Sequence, residues 1–249
     1  MVVLKSINEI EKMRVASRRA MEILLYLKDF VREGIKTIEL EMLCEEKIKT
    51  MPGMKPAFKG YNDFPYCLCV SVNDEVVHGM PSERILKESD IISLDFGIFN
   101  DGYYGDVAMT YPVGEIPRKV KHLLDITENA LYKGIDEAKE GNRLHDISHA
   151  VQTCVEDAGF SVVREFVGHG IGRSLHEDPQ LPNYGDKGTG IRLKAGMAFA
   201  IEPMVNMGGK EIFIKENGWT AATKDGSPSA HFEHTVVITN NGPEILSKI

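Results

Sequence analysis

The sequence lacks what a disulfide scaffold, a membrane protein or a nucleic-acid wrapper requires. It has four cysteines, Cys44, Cys67, Cys69 and Cys154, at no zinc-finger spacing. They read as reduced core or pocket thiols, and Cys67-x-Cys69 on a strand would place both side chains on one face. The longest early apolar run, Ile23 to Leu27, is far too short to span a bilayer, and the opening residues MVVLKSINEIEKMR do not form a signal peptide. A cytoplasmic protein without a membrane partner is therefore the expectation. Basic residues are outnumbered, 29 Lys and Arg against 37 Asp and Glu for a net charge of −8, which argues against nucleic acid as a partner despite the local group Arg118, Lys119 and Lys121. Hydrophobic residues make up 43% of the 249, enough for a sizeable core in one large domain or two small ones.

Helical periodicity opens the chain. Ser6 and Glu9 form a capping-box pattern, and Ile10, Met13, Ala16, Ala20, Ile23, Leu24 and Leu27 recur at helical spacing, predicting a long amphipathic helix that ends near Gly34. A second helix follows Thr37, with Leu40, Leu43, Cys44 and Ile48 as its buried face and Pro52-Gly53 closing it. Strands are expected at Cys67 to Val72 and Val76 to Gly79, with a turn at Asn73-Asp74. Further on, Pro117 opens a helix over Val120 to Ala138, and another runs from Leu144 to Ala158 before Gly159.

Between these helix pairs lies Ile91 to Thr110, where two aspartates sit inside apolar, β-branched strands. Asn100-Asp101-Gly102 signals a hairpin. A two-residue turn at Asp101-Gly102 would set Asp95 opposite Ala108 and Gly97 opposite Asp106, placing both acids on one face roughly 7–8 Å apart. A three-residue loop would put them on opposite faces, unless Gly105 restored the register as a bulge. Two buried carboxylates with no cationic residue between them should not both ionise, so either one stays protonated or a cation joins them.

The second half repeats the first. An offset of 107 aligns Arg32-Glu33-Gly34 with Lys139-Glu140-Gly141, Leu86-Lys87 with Leu193-Lys194, and Asp95 with Glu202. An offset of 91 aligns His78 with His169, and one of 127 aligns Asp106 with Glu233. The expectation is a single α+β domain over 1–249, with pseudo-halves of about 1–112 and 113–249. Each would be a helix-helix-strand-hairpin unit, related to the other by a pseudo-twofold axis with the acids meeting at the middle. Asp95, Asp106, His169, Glu202 and Glu233 then form one constellation. Four carboxylates and an imidazole suit hard or borderline divalent ions, and four negative charges exceed what one such ion needs. Two metals roughly 3.5–4 Å apart, sharing a water, fit better.

In the contexts SLDFG, YGDVAMT, GHGIGRSLHE, AIEP and FEHTVVIT, these residues resemble those of the type I methionine aminopeptidases, over essentially the whole chain. The resemblance implies the pita-bread fold, built around a central antiparallel sheet, and removal of the initiator methionine from nascent proteins when the second residue is small. It implies two divalent ions (Co, Mn, Fe or Zn), with Asp95 chelating one, Asp106 and Glu233 bridging, and His169 and Glu202 completing the other. A metal-bridging hydroxide would attack the first peptide carbonyl while Glu202 shuttles the proton. His78 and His176 match the family's two non-ligand histidines, which contact the substrate amide and the tetrahedral intermediate. The methionine pocket, apolar because a thioether gains only hydrophobic contact, would comprise Tyr61, Phe64, Cys69, Leu175 and Trp219 beside those histidines. Phe64 and Leu175 depart from the tyrosine and phenylalanine found in many relatives.

His122, His145, His149, His231 and His234 are read as structural, with a place near the site as the alternative for His231. A monomer is expected, and the family's role on nascent chains suggests ribosome association. The rival readings are a prolidase or X-Pro aminopeptidase, which would carry an extra N-terminal domain, and a pita-bread binding module that has lost its metal ligands. The interval from Glu202 to Glu233 is too short for the helical insertion of a type II enzyme.

Overall fold

Ser6 starts the first helix, accepting from the Glu9 backbone N–H while the Glu9 carboxylate accepts from the Ser6 N–H at 2.8 Å. In the computed structural model, which describes residues 2–249, helix α1 spans Ile7–Lys28 and α2 spans Thr37–Lys49. The first helix stops short of Gly34 because its last turn tightens, Phe30 N–H bonding Leu27 and Val31 N–H bonding Lys28. On α2 the buried face includes Glu41, while Leu43 is half-buried. The Glu41 carboxylate accepts from the Cys67 and Leu68 N–H groups at 2.8 and 2.9 Å, so those two residues precede the strand instead of opening it.

The strands of the first half are β1 (Lys55–Pro56), β2 (Cys69–Val72), β3 (Glu75–Val77), β4 (Ile91–Asn100) and β5 (Tyr103–Pro112). Strand β3 ends before Gly79 because His78 adopts a left-handed φ of 57°. Helices α3 (Arg118–Glu137) and α4 (Leu144–Asp157) follow, then β6 (Ser161–Val162), β7 (Gly168–Gly170), β8 (Glu177–Leu181), β9 (Ala198–Ile201) and β10 (Met204–Asn206). The chain closes with β11 (Ile212–Ile214), β12 (Ala221–Thr223), β13 (Ser229–His231), β14 (His234–Thr239) and β15 (Gly242–Ile245). No described helix is long and apolar enough to cross a membrane.

Strand β4 is central in the first half, with β5 on one side and β1 and β2 on the other. In the second, β15-β14-β9-β7-β8 form one sheet. Helices α1 and α2 pack with β2, β4 and β5 around Leu24, Leu40, Leu94 and Phe96, whereas α3 and α4 pack around Leu131, Ile147, Val151 and Phe199.

The hairpin has the two-residue turn, Asp101 and Gly102 both at positive φ, with Asn100 opposite Tyr103, Asp95 opposite Ala108 and Gly97 opposite Asp106. The ladder is continuous at Gly105, so there is no bulge there. Instead, a Cβ at Gly105 would lie 2.3 Å from the Ser17 nitrogen, because α1 rests directly on the hairpin at this point.

The repeat is visible in individual bonds. Gly34 N–H donates to Leu86, as Gly141 N–H donates to Leu193, at 2.9 and 3.0 Å. Lys36 bridges Ile85 as Arg143 bridges Arg192. All of these pairs share the offset of 107. The other two offsets do not follow the backbone. Strand β7 pairs with β9 as β2 pairs with β4, which puts His169 where the first half has Ser71, not His78. In the last strands Thr110 Oγ1 accepts from His231 N–H (2.9 Å) and donates to its carbonyl (2.8 Å). Thr235 Oγ1 does the same with Asp106, at 3.0 and 2.8 Å. The counterpart of Asp106 is therefore His231. That of Glu233 is Ala108, its own bridge partner, and the pseudo-twofold axis runs beside this pair.

Candidate metal centre and adjoining cavity

Asp95 and Asp106 reach the centre from neighbouring strands, as diagonal neighbours on one face of the β4–β5 ladder. His169 arrives between two glycines that permit close packing: a Cβ at Gly168 would lie 2.5 Å from the Ala200 oxygen, and one at Gly170 2.4 Å from the Asp178 oxygen. Glu202 follows directly after β9, and Glu233 directly precedes β14.

Asp106, His169 and Glu233 each offer a ligand atom within 4.8 Å of the others. His169 Nε2 lies 3.4 Å from Glu202 Oε1 and 4.0 Å from Asp106 Oδ2. Its Nδ1 faces the Gly170 carbonyl oxygen at 2.9 Å; donation there leaves the Nε2 lone pair toward the acids. Among the described residues no lysine or arginine pairs with any of the four carboxylates. Burial, reinforced by mutual repulsion, pushes Asp95, Glu202 and Glu233 well above the usual carboxylate range, and burial raises Asp106 to about 7. Burial lowers His169 to about 3, so its imidazole is neutral.

Asp95 Oδ1, Glu233 Oε1 and His231 Nε2 are buried without a hydrogen-bond partner. Orphaned atoms of this kind are costly in a native protein. Carboxyl groups, ionised once a cation binds, and neutral imidazoles converging on one point form a donor set that fits divalent cations. His231, read from the sequence as structural with a place near the site as the alternative, takes that alternative. It is 1% exposed, and its Nε2 lies 3.5 Å from Glu202 Oε2. An offset of 125 in place of 127 would have found it, opposite Asp106.

Beside the carboxylates lies a cavity of about 140 Å³. Tyr61, Phe64, Cys69, His78, Leu175, His176 and Trp219 all line it, as does Asp95 of the acid cluster. Phe58 and Asn62 line it too, and no signal in the sequence marked them. Phe64 stacks edge-on against Trp219 with ring centroids 5.1 Å apart, and Cys69 stands directly opposite Asp95 on the β2–β4 ladder. Cys67, expected on the same face, instead lies by Glu45 at 3.8 Å. Leu175 and Phe64 are buried, while His176 is exposed at the mouth, its Nδ1 2.8 Å from the Tyr61 hydroxyl and its ring 4.2 Å from that of His169. Burial lowers His78 to about 4, and the partial desolvation of the His176 ring lowers that residue as well.

The model of metallopeptidase family M24 matches residues 11–240. Methionine aminopeptidase 1 of Bacillus subtilis is 51% identical over all of both chains. The crystal structure of a methionine aminopeptidase from Thermotoga maritima superposes with a TM-score of 0.98 at 49% identity, covering all of both chains. The prolidase of Pyrococcus horikoshii shares the fold at 24% identity, with a TM-score of 0.79, and this chain covers 64% of it. A buried cluster of acids and imidazoles thus lies in a chain whose full-length relatives are metal-dependent peptidases, and the chain belongs to metallopeptidase family M24 and, within it, to the methionine aminopeptidases.

Proposed function

We propose that the protein hydrolyses the bond after an initiator methionine when the next residue is small, using two divalent ions held by Asp95, Asp106, His169, Glu202 and Glu233. The observation that carries this reading is the junction of two features. Four carboxylates without a cationic side chain among them adjoin a cavity sized for one side chain and lined by Phe64, Leu175 and Trp219. Bound divalent cations lower the pKa of a water toward neutrality and polarise a carbonyl.

The chain's own residues do the rest. The apolar walls take the methionine side chain by hydrophobic contact and exclude water from it. Asp95 belongs to both the cavity lining and the acid cluster, so a substrate's α-amine would meet the bound ions there, which would select a free amino terminus. Glu202, whose carboxylate faces the imidazoles of His169 and His231, takes the proton from the attacking water and returns it to the departing amide nitrogen. His78 and His176, neutral at working pH, direct N–H groups at the substrate amide and the developing oxyanion. In this reading the substrates are nascent chains. The protein works as a cytoplasmic monomer in association with ribosomes, and the ions are drawn from Co, Mn, Fe and Zn.

The test is the metal-loaded protein offered Met-Ala-Ser and a set of X-Pro peptides. Release of methionine from the first with no cleavage of the second is expected; the reverse preference overturns the assignment in favour of a prolidase-like activity.

A further inference from the structure

We propose that Lys5 and Glu177 form a buried positioning pair that sets the loop carrying Leu175 and His176 against the cavity, and that turnover depends on it. The proposal rests on the peptidase reading above. Glu177 Oε1 accepts from the Arg173 and Ser174 N–H groups at 2.7 and 3.3 Å, folding the loop onto its own carboxylate. The other oxygen, Oε2, takes the Lys5 ammonium at 2.6 Å. Lys5 comes from the segment before α1, where its N–H donates to Gly196 O at 2.7 Å and its Nζ to Val3 O at 3.0 Å.

The lysine side chain is 3% exposed and the glutamate side chain 15%. A charge this buried is tolerated only with a partner. The fit is tight, since a Cβ at Gly172 would lie 2.4 Å from Lys5 Cε and 2.7 Å from Glu177 Oε1. From this fixed point the chain steps back one residue to His176 and two to Leu175, so a tilt of Glu177 passes directly to both. A second link, Arg173 to Glu9 at 3.1 Å, joins the same loop to α1, but the Arg173 side chain is 71% exposed and its pair is screened by water. Lys5 touches neither substrate nor ions in this arrangement. It acts through the loop.

The experiment is Lys5→Met in the metal-loaded enzyme, alone and combined with His176→Ala, with Met-Ala-Ser as substrate. A displaced loop is expected to lower kcat by about 10–100-fold at unchanged ion content. In the His176→Ala background, adding Lys5→Met is expected to cost no more than about threefold further, because the two changes remove the same positioning. Hydrogen exchange at the Arg173 and Ser174 amides should accelerate in Lys5→Met, a readout independent of turnover. Wild-type kcat, unchanged exchange, or a full additional loss in the His176→Ala background would each overturn the proposal. Lys5→Gln, which keeps a neutral donor to Glu177, covers the case in which Lys5→Met does not fold, with the same expectations at smaller size. If the wild-type enzyme releases no methionine, the peptidase reading fails, and the exchange measurement still decides on the pair.

Discussion

His231 shows what a single residue can contribute to a site without matching any motif. Its Nε2 is orphaned beside Glu202, within a cluster of carboxyl groups and neutral imidazoles. Replacing it with alanine should leave the strand intact and lower ion affinity or kcat by roughly 10–100-fold, the range for residues that orient metal ligands. Isothermal titration of ions into His231→Ala checks this, and affinity and turnover equal to wild type would return His231 to a packing role. Asp95 and Asp106 were legible because carboxylates stand out in apolar strands. A histidine beside Phe232 and Glu233 carries no such contrast.

At the scale of elements, local chemistry was the most readable part. The Asn100-Asp101-Gly102 turn and the Ser6–Glu9 capping box appear as the residues demand. The ends of α1 and β3 did not: α1 closes in the i→i+3 bonds of Phe30 and Val31, and β3 stops at the left-handed His78, whose carbonyl accepts from the distant Thr220 hydroxyl. The capping box makes a pH prediction. The Ser6 backbone N–H and the Tyr103 hydroxyl hold the Glu9 carboxyl down at about 2, below its ordinary 4.5. A depressed carboxylate stabilises the fold above its unfolded pKa and loses that contribution as pH falls through the folded value. The stability gap between wild type and Glu9→Gln should therefore be full above about 4.5 and close toward about 2. Denaturation midpoints across that range measure it; a gap that does not vary with pH would show that the charge on Glu9 contributes nothing.

For the whole molecule the repeat was legible in its helices and lost in its last strands. The offset of 107 holds for the helix pairs and for β4 against β9, while β7 aligns with β2 at 98. The excursion through β10 to β12, which brings Trp219 to the cavity, then lengthens the second half so that the final strands align at 125. Reading acid onto acid across that insertion gave 127 and hid the equivalence of Asp106 and His231. The cavity was equally hidden from composition and periodicity, since Phe64, Leu175 and Trp219 come from three distant segments, and only the family resemblance grouped them.

The central cluster also sets the pH response of the metal-free protein. The Asp106 carboxyl is raised from 3.8 to about 7 and the other three acids stand higher than usual, so their contribution is full at low pH and lost as pH rises through the folded values, while His169 and His231, lowered from 6.5 to about 3, oppose that slope below 6.5. Protein stripped of ions with EDTA should therefore lose thermal stability as pH rises from about 6.5 through about 7 and beyond, and ions added back should remove that slope. Parallel melting curves with and without ions would contradict it.

The pseudo-twofold axis beside Ala108 and Glu233 has a further consequence. Asp95 and Asp106 belong to one half, His169, Glu202, His231 and Glu233 to the other, and the threonine bonds that cross the axis, with the Ala108–Glu233 bridge between them, hold these two sets together. Neither half carries the whole set. The site is a logical conjunction: opening the seam separates Asp95 and Asp106 from the other ligands along with the apolar contacts that cross it, such as those of Met13 and Tyr103 with Leu175 and Val237, so ion release should report separation of the halves.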